Sequence, residues 1–565
     1  MNISRRNFLK SATAMAVAAP WLAEAAEPTE QQRIETALPA RAVVTPRKPR
    51  KLLIFDLNVG YGGHPSAKVA NTAFTLMGRK TGAFEAVVSH DPSVFQRDSL
   101  KNFDAVFFNN TVGNLFTDPV LRQNLVEFVY GGGGLLGAHG TSVAFTRWPE
   151  GAKEDWPEFA LMIGARGAAH MPGNGEERVI VKLEEPGHPL NRWFDGENFE
   201  YQSEFFRFRE PYSRQRVRVL SSIDVPATSK LQGAPLKQFR KDNDYPIAWV
   251  HQYGRGRVLY CSIAHNPYIF WDAKMLEFYL GAIQFACGDL PAPTTPSGWL
   301  TPAVRAQEQL GWRLGIEAYT FHKFTFFEAI EKTAQLGLPF MGGLSFQKVS
   351  KDIPKNFDIQ LNDDELKQIR LKLADAGIRM LTYYLQKIPA DPAECRKVFE
   401  FGRKIGIETF MSEPDPSALE TIDRFCNEYD INVALHNHDQ KASPHYWQPE
   451  QVLEACTGRS RHIGACPDLG YWMRSGIDPL KGLRTLKDRI ITIHMHDLHE
   501  LTPQGHDVPW GSGVGKTEEF LRELHLLGVQ PTMFGIEYAH NWLESMPEVA
   551  RSVAFFNQLS QDLAK

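Results

Sequence analysis

Residues 490–500, IITIHMHDLHE, decide how the rest of the chain is read. The first half of this stretch is apolar and β-branched, which is the composition of a buried strand. It then turns abruptly polar at His494, His496, Asp497 and His499. Alternate side chains of a strand share a face, so His494 and His496 point the same way.

Neighbouring segments end in the same manner. From Arg313 onward the chain alternates apolar runs with helix-like segments such as 363–376 and 392–405. Eight strand–helix units result, with strands ending near Tyr319, Ser345, Leu385, Glu413, Asn437, Asp468, His496 and Glu537. Residues 313–565 match the length of about 250 residues usual for a closed (β/α)8 barrel, whose chemistry sits at the C-terminal strand ends. At those ends lie Glu413, then His436 and His438 in ALHNHD, then Asp468, then His494 and His496, then Glu537. Charged groups are costly to bury unless paired or metal-bound, so this run of polar ends predicts a metal site. Mixed imidazole and carboxylate ligands without thiolate suit one divalent ion among Mn, Mg, Co, Fe and Zn. The aromatics Tyr319, Phe321, Tyr383, Trp472 and Trp510 offer walls for a sugar ring, and Arg474 and Lys516 offer polar handles.

The N-terminal half reads as a second α/β domain over residues 50–290. Lys51-Leu52-Leu53-Ile54-Phe55 and Ala105-Val106-Phe107-Phe108-Asn109 are buried strands, and 118–130 is an amphipathic helix. Gly131 to Gly134 end that helix before the strand containing Leu135 and Leu136. Tyr253-Gly254-Arg255-Gly256 is a turn, followed by a strand through Cys261. Strands alternating with helices predict a parallel sheet, with polar candidates His139, His188, Glu204 and His265 at its strand ends. His64 and His170 rank below them. Residues 291–312 begin as a Pro-rich linker.

The whole chain has 565 residues, more than one core holds. A net charge of -4 and no polybasic block argue against a nucleic-acid partner. Ser4-Arg5-Arg6-Asn7-Phe8-Leu9-Lys10 precedes a short apolar run and Ala23-Glu24-Ala25. Residues 1–25 therefore resemble a twin-arginine signal, implying the export machinery as partner and a periplasmic or extracellular location. No other stretch has the length of a membrane span. The six cysteines form no CxxC pair and read as small core residues.

Two resemblances extend this reading. GGGGLLGAHG, EEPGHPLNRW and GRGRVLYCSIAH resemble the ThuA-like family, named for trehalose utilisation. That resemblance implies a flavodoxin-like fold related to class I amidotransferases, although the turn Ala138-His139-Gly140 has no Cys nucleophile. ALHNHD, PDLGYW, IHMHD, VPWGSGVGKTEEFLREL and GIEY resemble the xylose-isomerase-like, or sugar phosphate isomerase/epimerase, TIM barrels, which include endonuclease IV. The resemblance implies metal ligands His436, Asp468, His494 and Glu537. It also implies Glu537, His436 and Glu413 as catalytic groups, and His438, His496, Trp472 and Lys516 as substrate contacts. The family usually has Glu where His436 stands, which departs from two-glutamate proton transfer. The function expected is that of an exported, metal-dependent carbohydrate enzyme abstracting a proton α to a sugar carbonyl, with 3-keto-glycoside cleavage as its reaction. Sugar isomerisation or epimerisation and non-catalytic sugar binding are the alternatives. DNA repair is opposed by the charge and by the lack of ligands for three zinc ions.

Overall fold

The computed structural model describes residues 27–148, 152–170 and 176–565; the export signal read at residues 1–25 lies outside them. The chain forms two α/β domains.

The first domain is built on β1 (Lys51–Phe55), β2 (Glu85–Ser89), β3 (Ala105–Asn109), β4 (Gly134–Ala138), β5 (Arg166–Ala169), β6 (Glu177–Leu183), β7 (Phe199–Ser203), β8 (Arg207–Arg209), β9 (Arg218–Ile223), β10 (Pro246–Tyr253) and β11 (Gly256–Cys261). Nine of these form one sheet in the order β2-β1-β3-β4-β11-β10-β9-β6-β7. The first five in that order are parallel. They have the 2-1-3-4-5 arrangement of flavodoxin-like sheets, once β11 is counted as the fifth parallel strand. The remaining four run antiparallel as an extension of one edge. β3 and β4 are buried along their whole length. They are covered on one face by helices Pro65–Thr81 and Ala273–Ala286 and on the other by Pro119–Tyr130 and Pro157–Ile163. Asp118 caps the third of these helices by accepting from Val120 N, with Pro119 at its first position.

The second domain is a parallel barrel of β12 (Leu314–Ile316), β13 (Phe340–Leu344), β14 (Arg379–Tyr384), β15 (Thr409–Ser412), β16 (Asn432–His436), β17 (Ile463–Cys466), β18 (Ile493–Met495) and β19 (Phe534–Ile536). Neighbours pair in chain order, and β19 pairs with β12. The seam between β17 and β18 is closed by two parallel bridges, Ala465 to Ile490 and Asp468 to His494. The apolar start of the stretch 490–500 therefore pairs with β17, and its first histidine faces Asp468 across the seam. The strands end within a few residues of the positions read from the sequence. All six cysteines are buried and unpaired. Among the described residues no helix is long and apolar enough to cross a membrane.

The domains meet floor to floor. Arg255, in the turn before β11, donates to the carbonyls of Tyr429 and Asp430 just before β16. Arg370 on the barrel helix Asp363–Ala376 reaches Glu158 of the first domain at 3.3 Å. Arg218 of β9 pairs with Glu308 at 2.7 Å. These contacts involve the N-terminal ends of both strand sets. The C-terminal ends, where parallel sheets carry their sites, lie at opposite ends of the molecule.

Candidate metal centre in the barrel mouth

Asp468 lies two residues past the end of β17 and caps the next helix, with Oδ1 accepting from Tyr471 N at 2.8 Å. Its other oxygen, Oδ2, is buried and accepts no hydrogen bond. Three imidazole nitrogens face that oxygen: His496 Nε2 at 3.3 Å, His436 Nε2 at 3.6 Å and His494 Nδ1 at 3.8 Å. His494 Nδ1 lies 2.7 Å from Glu537 Oε2 and 3.2 Å from His436 Nε2. Its other nitrogen faces Met411 Sδ at 2.9 Å in the barrel interior. A buried carboxylate oxygen without a well-directed donor, ringed by nitrogens 3.3–3.8 Å away, has the spacing of groups that share a cation. Ligands about 2.0–2.2 Å from an ion stand roughly 3–3.5 Å from one another. Two overlapping groups could hold a divalent ion, His436, Asp468 and His494 on one side and Asp468, His496 and Glu537 on the other, with Asp468 common to both.

Charge supports the fit. Burial opposes charge on His436, yet the carboxylates of Asp468 and Glu413 push its pKa up to about 10. Burial likewise opposes charge on His496, and Asp468 and Asp507 push it up to about 10. Burial would raise Asp468, but His496 and the other imidazoles hold it well below the usual carboxylate range. Without a cation the carboxylates are neutralised by imidazolium protons, and a metal ion would replace those protons.

Behind the centre, Glu413 Oε1 lies 3.2 Å from His436 Nδ1 and 2.5 Å from His438 Nδ1. Tyr384 donates to the same oxygen at 3.3 Å. Glu413 therefore orients the two imidazoles, and His438 presents its ring to the mouth. Asp497 accepts from the backbone N–H groups of Gly511, Gly513 and Gly515. A Cβ on Gly513 would come 2.4 Å from Asp497 Oδ1, so the glycines of VPWGSGVGK let the loop wrap this carboxylate.

A cavity of about 250 Å³ opens above the centre, lined by Glu317, Tyr319, Phe346, Tyr384, His436, His438, Tyr471, His494 and Glu537, among others. Glu317 is the residue that the sequence reading passed over. It follows β12 directly and is buried. Desolvation raises its carboxyl to about 7, with Glu537 adding to the shift and His494 opposing it. Burial would also raise Glu537, but the adjacent His494 holds that carboxyl below its ordinary range.

Several expected contacts lie elsewhere. Trp472 is buried in the shell between strands and helices, and its ring packs against Gly482. Phe321, Tyr383 and Trp510 belong to the same shell; Tyr384, one position on, is the side chain turned inward. Lys516 borders a separate surface groove with Thr517 and Glu518. Arg474 braces the loop instead, donating to Gly505 O and Asp507. His496 is enclosed rather than substrate-facing, with Nδ1 2.6 Å from Asp507 Oδ1. In the first domain His139, Glu204 and His265 come together, and His64 joins them. His188 does not: it sits by the linker, where Nε2 lies 3.0 Å from Pro293 O and Nδ1 accepts from Leu190 N.

The family model described as trehalose utilisation, ThuA, matches residues 51–286. That of the xylose isomerase-like TIM barrel matches residues 417–559. No curated protein matches the chain. Among solved structures, a Parabacteroides distasonis protein is 32% identical over 44% of this chain and 99% of its own, with a TM-score of 0.37. A ThuA-like protein of Bacteroides uniformis is 21% identical over 43% of this chain and 93% of its own, with a TM-score of 0.35. A D-tagatose 3-epimerase-like protein is 16% identical over 44% of this chain and 98% of its own, with a TM-score of 0.35. The chain thus joins a ThuA domain to a xylose isomerase-like TIM barrel.

Proposed function

We propose that the barrel is a divalent-metal-dependent carbohydrate enzyme that moves a proton α to a sugar carbonyl, with 3-keto-glycosides as substrates. One observation carries this reading: Glu317 and Glu537 line the same cavity, and their surroundings push their carboxyls in opposite directions. Two carboxyls driven apart in this way supply an acid and a base at one pH. A divalent ion on His436, Asp468, His494 and Glu537 would polarise the carbonyl and acidify its α-hydrogen.

Glu537, ionised, accepts the α-proton. Glu317, still protonated near neutral pH, gives its proton to the opposite face of the same carbon, which yields epimerisation, or to the former carbonyl carbon of the enediol, which yields isomerisation. In a 3-keto-glycoside it gives the proton to the departing glycosidic oxygen instead. The electron pair of the broken C–H bond then forms the C=C bond, leaving an unsaturated ketone and the free aglycone. His438 is placed to hydrogen-bond a sugar hydroxyl, and Tyr319, Phe346, Tyr384 and Tyr471 supply faces for the ring. Export by the twin-arginine route belongs to the same proposal. Replacing Arg5-Arg6 with Lys-Lys should hold the protein in the cytoplasm.

The test is turnover of a 3-keto-glycoside in D2O. Deuterium entering the α position, or aglycone released with an unsaturated sugar, supports the reading. Full activity after metal removal, or cleavage of unoxidised glycosides without α-exchange, overturns it.

A further inference from the structure

The first domain carries a second constellation, at the opposite pole of the molecule from the barrel mouth. His139 stands at the turn after β4 with φ 38, a left-handed backbone that a residue with a side chain seldom adopts. Strain of this kind persists where the surroundings enforce it, and it clusters at functional sites. The His139 imidazole is fully buried. Its Nδ1 lies 3.1 Å from Ser262 O. A carbonyl only accepts, so Nδ1 carries the hydrogen and Nε2 is left with a bare lone pair. That nitrogen faces Glu204 Oε1 at 3.2 Å, yet outside hydrogen-bonding geometry. A lone pair facing a carboxylate oxygen in a buried place is repulsive unless a cation stands between them.

Two further imidazoles close around the same point. The ring centroids of His64 and His265 each lie 5.0 Å from that of His139, and 5.3 Å from each other. His265 Nε2 is 3.9 Å from Glu204 Oε2. His64 Nδ1 and His265 Nδ1 are both buried without a hydrogen-bond partner. One ligand atom from each of His64, His139, His265 and Glu204 lies within 4.8 Å of all the others. His170 stands at the rim, with Nδ1 3.4 Å from Glu204 Oε2.

The loops that carry these histidines are tied together by a single side chain. Asn110, after β3, donates from Nδ2 to Ser66 Oγ and to Ala264 O, and its Oδ1 accepts from Gly140 N. It thereby fixes the segments of His64, His265 and His139 at once. Gly140 leaves the space: a Cβ there would come 3.1 Å from His64 Cε1.

We propose that the first domain holds its own first-row transition-metal ion, of the zinc class, on His64, His139, His265 and Glu204. Three nitrogens and one carboxylate oxygen suit Zn²⁺ or Co²⁺ and do not suit Mg²⁺ or Ca²⁺, which prefer oxygen. Tetrahedral ligands at ~2.1 Å from an ion stand roughly 3.4 Å apart, close to the spacings around Glu204. The Ser262 carbonyl behind His139 is the outer partner that fixes a ligating imidazole.

The test is metal content of the full chain after equilibration with zinc and dialysis, compared for the parent protein, His139→Ala, His265→Asn and Asp468→Asn. The first two substitutions should each remove one equivalent of zinc that Asp468→Asn leaves in place. Thermal unfolding confirms that each variant is folded. The partly exposed His265 provides the milder change should His139→Ala fail to fold. Co²⁺ loaded into Asp468→Asn should give the visible absorption of a four-coordinate nitrogen-rich site, and the spectrum should vanish in Asp468→Asn/His265→Asn. Unchanged zinc content in folded His265→Asn, or no cobalt spectrum in Asp468→Asn, overturns the proposal. The barrel reading stands or falls separately, on Asp468→Asn.

Discussion

His496 Nδ1 lies 2.6 Å from Asp507 Oδ1, and this contact sets the direction of the other ring nitrogen. With Nδ1 donating to the carboxylate, Nε2 is aimed at Asp468 Oδ2, 3.3 Å away, and a bound ion that displaced its proton would leave its lone pair facing the metal centre. Asp507 is itself held by Arg474 and by Ala539 N. A carboxylate behind an imidazole fixes its tautomer and raises its basicity, and removing such a partner typically costs 10–100-fold in metal affinity. Asp507→Asn should therefore weaken metal binding by about that factor, measured by chelator competition. Unchanged affinity in both Asp507→Asn and His496→Ala would show that His496 plays no part in holding the ion.

Glu317 gives the site a pH signature. Burial raises its carboxyl from 4.5 to about 7. Below pH 4.5 the group is protonated in both the folded and unfolded chain, and stability is unaffected. Between 4.5 and 7 the unfolded chain releases its proton first, so stability falls as pH rises. Above 7 the full penalty applies, at most ~3 kcal/mol from 1.36 kcal/mol per pKa unit. In metal-free protein Glu317→Gln should be the more stable chain at pH 8 and equal to the parent at pH 4, as read by denaturant unfolding. Activity should fall as pH rises through about 7, because the acid must hold its proton, and Glu317→Gln should lose activity while keeping its metal. A parent profile flat across that range would remove Glu317 from the chemistry.

Room for Glu317 comes from glycines on the flanking strands. A Cβ at Gly342 would lie 1.9 Å from Glu317 Oε2 and 2.6 Å from Thr382 Oγ1, and one at Gly535 would lie 2.5 Å from Glu317 Oε1. Gly342→Ala must displace the carboxyl, at a cost of about 1–3 kcal/mol for overpacking. The loss of stability should largely disappear in Gly342→Ala/Glu317→Ala, while activity stays lost in both. Additive stability effects in that double-mutant cycle would mean that the two side chains do not compete for this space.

Much of this arrangement is legible in the sequence, for reasons that can be stated strand by strand. The ends of β15 to β19 carry their polar groups in the same short motifs that mark the strands, so Glu413, His436, Asp468, His494 and Glu537 follow from the pattern. Glu317 does not: β12 has three residues, as β18 and β19 do, but it lacks a motif like those that mark their ends, and the apolar run past it places the strand end near Tyr319. The choice between Tyr383 and Tyr384 fails for a related reason. A parallel strand covered on both faces is apolar throughout, and its pattern does not say which side chains turn inward. That Glu413 contacts both His436 and His438 is set by the tertiary structure and has no signal in the sequence. In the first domain, His64 follows β1 as His139 follows β4 and His265 follows β11. The rule that ligands gather at C-terminal strand ends would have ranked it above His188, which lies on a turn after the antiparallel strand β6.

The junction provides the last prediction. Glu158 is buried between the domains, where Tyr253 donates to it at 3.2 Å and Arg370 at 3.3 Å, while Lys367 stands 3.9 Å away. The Glu158 and Arg370 side chains are only 5% and 2% exposed. Removing one partner of such a pair leaves an uncompensated buried charge and costs about 3–5 kcal/mol, whereas replacing both with apolar groups is often neutral. Arg370→Leu should accordingly lower the unfolding temperature, and Arg370→Leu/Glu158→Leu should recover most of it. Because the pair lies beneath the barrel floor and the metal centre lies at its mouth, metal content and KM should not change in either variant. Residues 300–565 expressed alone should form a barrel that keeps its metal and unfolds at a lower temperature than the full chain. A soluble barrel fragment without metal, or a change in KM in Arg370→Leu with no change in unfolding temperature, would show that the first domain shapes the site instead of only supporting the fold beneath it.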